Sequence, residues 1–171
     1  MKEHRIPAYD LGEVSMREAF DTVFGSETLK KTHGDTLVAS PWQDNKRTTS
    51  FEVSVEGIPW ALRHVFHGHG LPVTVSQALD PKENSWKVSN DIAMHFVGAR
   101  LFKITSWFEI HRESNRAYLT GSVSVSAKLP LPLNRIAERF MLSRCKKEID
   151  AYTASITEAF MAQAAARSPS V

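Results

Sequence analysis

Residues 117–152, AYLTGSVSVSAKLPLPLNRIAERFMLSRCKKEIDAY, hold the transition that decides the fold. Up to Ala127 the period is two: Leu119, Val123 and Val125 alternate with Thr120, Ser122 and Ser124, as in a strand with one buried face. Leu129-Pro130-Leu131-Pro132 then ends the sheet, because proline cannot donate to a ladder and suits a helix first turn. Beyond it the spacing predicts a long helix from about Leu133 to Ala165. Its second half carries a stripe of Met141, Cys145, Ile149, Tyr152, Ile156 and Phe160. Its first half buries Leu133, Ile136, Ala137 and Phe140 on a face rotated by roughly a third of a turn. Such a helix bends or touches two different partners.

Upstream, from Thr36 to Lys128, the period stays at two. The breaks are turn-like: Gln43-Asp44-Asn45, Gly57-Ile58-Pro59, Gly68 to Pro72, Asp80 to Asn84, and Glu113-Ser114-Asn115. About seven strands with short connections imply an antiparallel sheet. Phe51, Val53 and Val55 alternate with Glu52, Ser54 and Glu56, and Leu71, Val73 and Val75 with Pro72, Thr74 and Ser76. Residues 101–110, LFKITSWFEI, carry bulky apolar groups on both faces, which predicts a strand covered in part on each side. Further back, residues 4–12 read as a first strand. Ser15-Met16-Arg17-Glu18 reads as a capping box that starts a helix with Met16, Ala19, Phe20 and Val23 or Phe24 on its apolar face. Gly25-Ser26 interrupts it, and a second short helix runs to about His33-Gly34.

Composition agrees with one globular body. The chain has 171 residues, 42% hydrophobic and 23% charged, with a net charge of +2, which is no global field for nucleic acid. The single cysteine, Cys145, excludes an internal disulfide framework and a Cys-rich zinc site. No apolar run reaches the roughly 20 residues of a membrane span, and the start MKEHRIPAYD lacks the apolar core of a signal peptide. The expectation is an untargeted, cytoplasmic protein, with at most transient peripheral contact at membranes.

A strand, two short helices, a run of antiparallel strands and a long C-terminal helix is the order of an α+β helix-grip fold. In it a curved sheet of about seven strands wraps the last helix, and a cavity is left between them. Phe20-Asp21-Thr22-Val23-Phe24-Gly25, Ser40-Pro41-Trp42 followed by Lys46-Arg47, Gln77, and Phe96-Val97-Gly98-Ala99-Arg100-Leu101-Phe102 carry a resemblance. Over residues 14–165 the chain resembles the VASt domain, the StAR-related lipid-transfer-like domain of sterol transporters, in the wider START and Bet v 1-like group. VASt domains usually have a Pro-Tyr-Gly type turn where this chain has Val97-Gly98, so only Gly98 and Phe102 carry over there. They also usually sit beside a membrane-binding domain and an anchor, neither of which is expected here; stand-alone bacterial START-like and polyketide-cyclase-like proteins are the competing relatives. Residues 1–166 are read as a single START-like domain and 167–171 as a disordered tail.

The expected ligand-contacting residues are Phe51, Trp60, Leu62, Phe66, Trp86, Met94, Phe96, Phe102, Phe108, Phe140, Met141 and Tyr152. Sequence alone does not separate cavity wall from core among them, and Met94 and Met141 suit an adaptable wall. Trp42 and Arg47 either shape the cavity mouth or, as the simpler role, pack across the sheet edge and pair with a surface carboxylate. Arg135, Arg139 and Lys146, with Arg144 and Lys147, make the helix basic; a solvated face explains them, and so does contact with anionic headgroups.

His67-Gly68-His69, with His64 or His4 as a third ligand, has a zinc-compatible spacing, yet no carboxylate or cysteine lies nearby and solvated turn histidines explain it as well. No metal and no cofactor are expected. Nucleophile elbows, phosphate-binding loops and His-Glu-x-x-His are absent from the sequence. Cys145 reads as a small hydrophobe. A cavity enzyme would draw on His64, Gln77, Asn90, Glu109, His111 or Tyr152, which are scattered in sequence.

The resemblance and the element order together imply a non-enzymatic binding module for a sterol or other lipid, able to carry it between membranes. The alternatives are a cyclase, dehydratase or hydrolase using the same cavity, and a regulatory protein acting through its surface. Nucleic acid is not expected as a partner, and oligomeric state and ligand identity carry no signal in the residues.

Overall fold

In the computed structural model, which describes residues 1–54, 57, 59–62, 70–94 and 101–167, the chain forms the expected helix-grip architecture. Strand β1 (Lys2–Gly12) leads into helices α1 (Met16–Val23) and α2 (Ser26–His33). Strands β2 (Val38–Ala39), β3 (Lys46–Ser54), β4 (Gly70–Pro81), β5 (Ser85–Met94), β6 (Phe102–Glu113) and β7 (Arg116–Ala127) follow, and α3 (Leu133–Arg167) closes the chain. Among the described residues the strands make one curved, antiparallel, seven-stranded sheet in the order β1-β7-β6-β5-β4-β3-β2.

Local chemistry explains the boundaries. Ser15 Oγ accepts the Glu18 amide at 3.1 Å and caps α1, but the Glu18 carboxylate turns to Arg167 at 3.3 Å. Arg167, expected to open the tail, is the last residue of α3. Gly25 separates α1 from α2 because a Cβ there would sit 2.4 Å from the Asp21 carbonyl oxygen. The tight hairpin at Asp44-Asn45 has both residues at positive φ, which short polar side chains tolerate, and Ser114 does the same before β7. β4 starts at Gly70, inside the stretch expected to be a turn, and Pro72 pairs with Glu52 of β3. On β6, outward-facing Trp107 is covered in part by Lys87, whose Nζ lies 4.7 Å from the ring centroid.

Two apolar clusters form the core. One joins α1, α2 and the β5–β7 region to Tyr152 and Ile156 of α3. The other joins Phe102, Ile104, Val123 and Val125 to Ala137 and Met141. A single 35-residue helix therefore meets two partners, but the division falls inside the expected second-half stripe: Met141, Cys145 and Ile149 join Ala137 and Phe140 in the second cluster, and Tyr152, Ile156 and Phe160 belong to the first. Ile136, expected in the first-half stripe, is instead 36% exposed. The buried carboxylate in that half, Glu138, accepts the Ala127 amide at 3.1 Å.

β1 crosses β7 with two register shifts. Between Ile6 and Tyr9, and between Asp10 and Gly12, one extra residue on β1 opposes β7. At the other edge β2 is two residues long.

Candidate functional site

Between the two clusters lies a cavity of about 170 Å³, walled by the inner faces of β3 to β7, by Phe24, Leu29 and His33, and by the 140–152 stretch of α3. Its walls are mainly apolar: Phe51, Val73, Ile92, Met94, Phe108, Met141 and Ile149 are typical. The alternation of each strand puts these side chains inward, and α3 passes over them where neither cluster fills the space.

Of the expected wall residues, Phe51, Met94, Phe108, Phe140, Met141 and Tyr152 line this cavity. Phe102 is buried in the second cluster beside it. Trp86 packs under α1, its ring 5.2 Å edge-on from Phe20 with the Arg17 guanidinium 5.0 Å from its centroid, so it serves the core. Trp60 is 82% exposed and is no wall residue, because the short turn Trp60–Leu62 leaves it on the surface. Phe66, Phe96, the Val97-Gly98 turn, His64, His67 and His69 lie outside the described residues, as does the side chain of Leu62.

One polar row crosses the apolar wall. Arg47, Gln77, Asn90 and Ser106 occupy paired positions on β3, β4, β5 and β6. Arg47 Nε donates to Gln77 Oε1 at 2.8 Å, Gln77 Nε2 to Asn90 Oδ1 at 2.9 Å, and Asn90 Nδ2 to Ser106 Oγ at 3.0 Å; Thr49 Oγ1 adds a bond to Gln77 Oε1 at 3.1 Å. All five side chains are buried. Thr49, Gln77, Asn90 and Ser106 face the cavity. Gln77 and Asn90, scattered in sequence, thus converge, whereas Glu109 and His111 sit at the outward positions of β6.

Arg47 anchors the row and overturns its expected role. It is 6% exposed and, among the described residues, pairs with no surface carboxylate. Its Nη1 donates to the Phe24 carbonyl at 2.7 Å, and its guanidinium lies 4.6 Å from the Trp42 ring centroid. Burial pulls its pKa below the usual arginine value, with neighbouring Tyr152 acting in the opposite sense. Tyr152 donates its hydroxyl to the Val23 carbonyl, and burial pushes its phenol far above the ordinary range, so it stays neutral.

At the α2 side, His33 stacks on Phe51 with ring centroids 4.1 Å apart, and its Nδ1 lies 3.3 Å from Glu148 Oε2 without hydrogen-bond geometry. Cys145 lines the wall here, its thiol pushed up to about 12 by burial first and by Glu148 second, which keeps it protonated and inert. Among the described residues no group of three or more His, Cys, Asp or Glu side chains is placed to hold a metal ion.

Comparison with known proteins agrees on architecture. No family model matches the sequence, and no curated protein matches it. Solved structures do: the TTHA0849 protein of Thermus thermophilus aligns over 95% of this chain and 99% of its own at 8% identity and a TM-score of 0.61. The Zhui aromatase/cyclase of Streptomyces sp. R1128 aligns over 92% and 94% at 9% identity and 0.58. Human STARD10 aligns over 90% of this chain and 63% of its own at 12% identity and 0.50. At these identities the likenesses show the fold alone, a helix-grip architecture like that of START and Bet v 1-like proteins.

Proposed function

We propose that this protein binds one hydrophobic small molecule in the cavity under α3 without transforming it. The observation that carries this reading is the gap between the two core clusters, an apolar chamber roofed by a single helix. Burying a ligand there gains about 25 cal/mol per Å² of apolar surface, with no chemistry required. The volume of about 170 Å³ resembles the ~150 Å³ engineered cavity that takes up benzene. A ring-sized guest fits such a space; the sterol implied by the VASt resemblance needs the chamber to widen toward the roughly 300–1,000 Å³ of larger ligand sites.

The same reading extends to loading at a membrane surface from the cytoplasm. Among the described residues no helix is long and apolar enough to cross a bilayer. Arg135, Arg139 and Lys146 are all exposed and, at helical spacing, share one face of α3. Exposed Leu131 precedes that face, and the turn bearing exposed Trp60 packs against α3. Cations beside exposed apolar side chains suit anionic headgroups.

Native mass spectrometry of the purified protein tests the first part: the expected spectrum contains an apolar adduct, or acquires one after incubation with a panel of lipids and small ring compounds. Failure of the whole panel to bind overturns it. A second reading, a cyclase or dehydratase in the same chamber, is favoured by the convergence of Gln77, Asn90 and Ser106. Recovery of every bound compound unchanged in mass and in chromatographic retention supports simple binding, and a dehydrated or isomeric product supports the enzyme.

A further inference from the structure

The polar row has a direction, and the direction selects the guest. Arginine can only donate, so Arg47 Nε fixes the Gln77 oxygen toward itself. The Gln77 amide nitrogen must then face Asn90, the Asn90 oxygen must accept from it, and the Asn90 nitrogen must donate to Ser106. Ser106 Oγ is therefore an acceptor within the row, and its own proton has no acceptor among the described residues. The second amide protons of Gln77 and Asn90 are left in the same condition. Buried donors without partners are rarer and costlier than carbonyl oxygens with a spare lone pair. The row thus begins at a cation and offers hydrogens to the chamber.

Resting on the binding function proposed above, we propose that the ligand is an apolar, ring-sized molecule bearing an acceptor oxygen of the carbonyl type, held by Ser106 with Gln77 and Asn90. The hydrocarbon body packs on Phe51, Phe108 and Met141, and the oxygen takes the protons that the row leaves over. The row's direction is reversible by one atom. In Gln77→Glu the carboxylate accepts from Arg47 and Thr49 and also from the Asn90 nitrogen, which turns the Asn90 oxygen to Ser106. The Ser106 hydroxyl is then spent on Asn90, and Ser106 shows the chamber a lone pair.

Three probes of similar size separate the possibilities by calorimetric titration: tetralin with no polar group, α-tetralone with an acceptor only, and indole with a donor only. The wild type is expected to bind α-tetralone about fivefold to tenfold tighter than tetralin, the factor of one net hydrogen bond, with indole no better than tetralin. Ser106→Ala is expected to lower the ketone advantage by about twofold to threefold without abolishing it, because the Gln77 and Asn90 amide protons remain, while tetralin binding stays. Gln77→Glu is expected to invert the order of indole and α-tetralone. Equal binding of the three probes by the wild type, or a preference for indole, overturns the donor assignment while leaving the chamber's binding role standing. Retention of the full ketone preference in Ser106→Ala, or in Gln77→Glu, likewise overturns it. Absence of binding by all three, tetralin included, overturns the binding function itself.

Discussion

Arg47 is a cation held in the interior with backbone and neutral groups around it instead of a carboxylate. A buried charge costs several kcal/mol unless something compensates it. Here the compensation is the end of α1, where Phe24 and Val23 present carbonyls that the helix cannot satisfy; Arg47 takes the first and Tyr152 the second. The Trp42 face and the Gln77 oxygen add to the shell, while Nη2 is buried with no hydrogen-bond partner among the described residues. Tyr152→Phe keeps the ring edge-on to Phe108, 5.7 Å between centroids, but leaves the Val23 carbonyl buried and unpaired. The expected loss is about 1–2 kcal/mol of stability in urea unfolding, and a variant as stable as the wild type would refute this capping role. Trp42 and Arg47 stand out as a pair in the sequence, and they do stack. Their partners are not legible there, because a helix end more than twenty positions upstream supplies one of them.

At the scale of elements, the period changes made most of the fold legible. The switch after Ala127 placed the end of β7 and the start of α3, and the split stripe of α3 foretold two packing partners. The polar row was less accessible. Gln77, Asn90 and Ser106 each interrupt an apolar inward stripe, a signal present in each strand, but only the register of neighbouring strands brings them to one line. Trp60 shows the opposite error: its size suggested burial, and a three-residue turn leaves it outside. β7 also carries a test of the curved sheet. A Cβ on Gly121 would meet the Trp107 carbonyl oxygen at 2.7 Å and the Phe108 ring at 3.0 Å. Backbone cannot yield as a side-chain tip can, so Gly121→Ala is expected to cost about 1–3 kcal/mol. It should also perturb binding, because Phe108 is a chamber wall; thermal unfolding of the free and ligand-loaded variant measures both. An unchanged melting temperature would show that the strand has slack there.

For the whole molecule, the small net charge of +2 makes any attraction to a bilayer a property of one face. Replacing Arg135, Arg139 and Lys146 together by glutamate should leave folding intact, since all three are exposed. At about 1 kcal/mol per basic residue near an anionic surface, binding to phosphatidylserine vesicles should fall by about a hundredfold or more. Cosedimentation with anionic and neutral vesicles measures it, and equal binding by variant and wild type discards the membrane contact.

The two margins of the sheet carry a different consequence. An arched sheet wrapped around one helix, unlike a closed barrel, ends in two strands with unpaired backbone, a standing invitation to another copy's strand. The invitation is withdrawn at both margins: β1 is bent by two bulges, with Pro7 inside the first, and β2 is too short to template anything. The architecture that stays open enough to admit a guest is thereby kept from growing into a fibre.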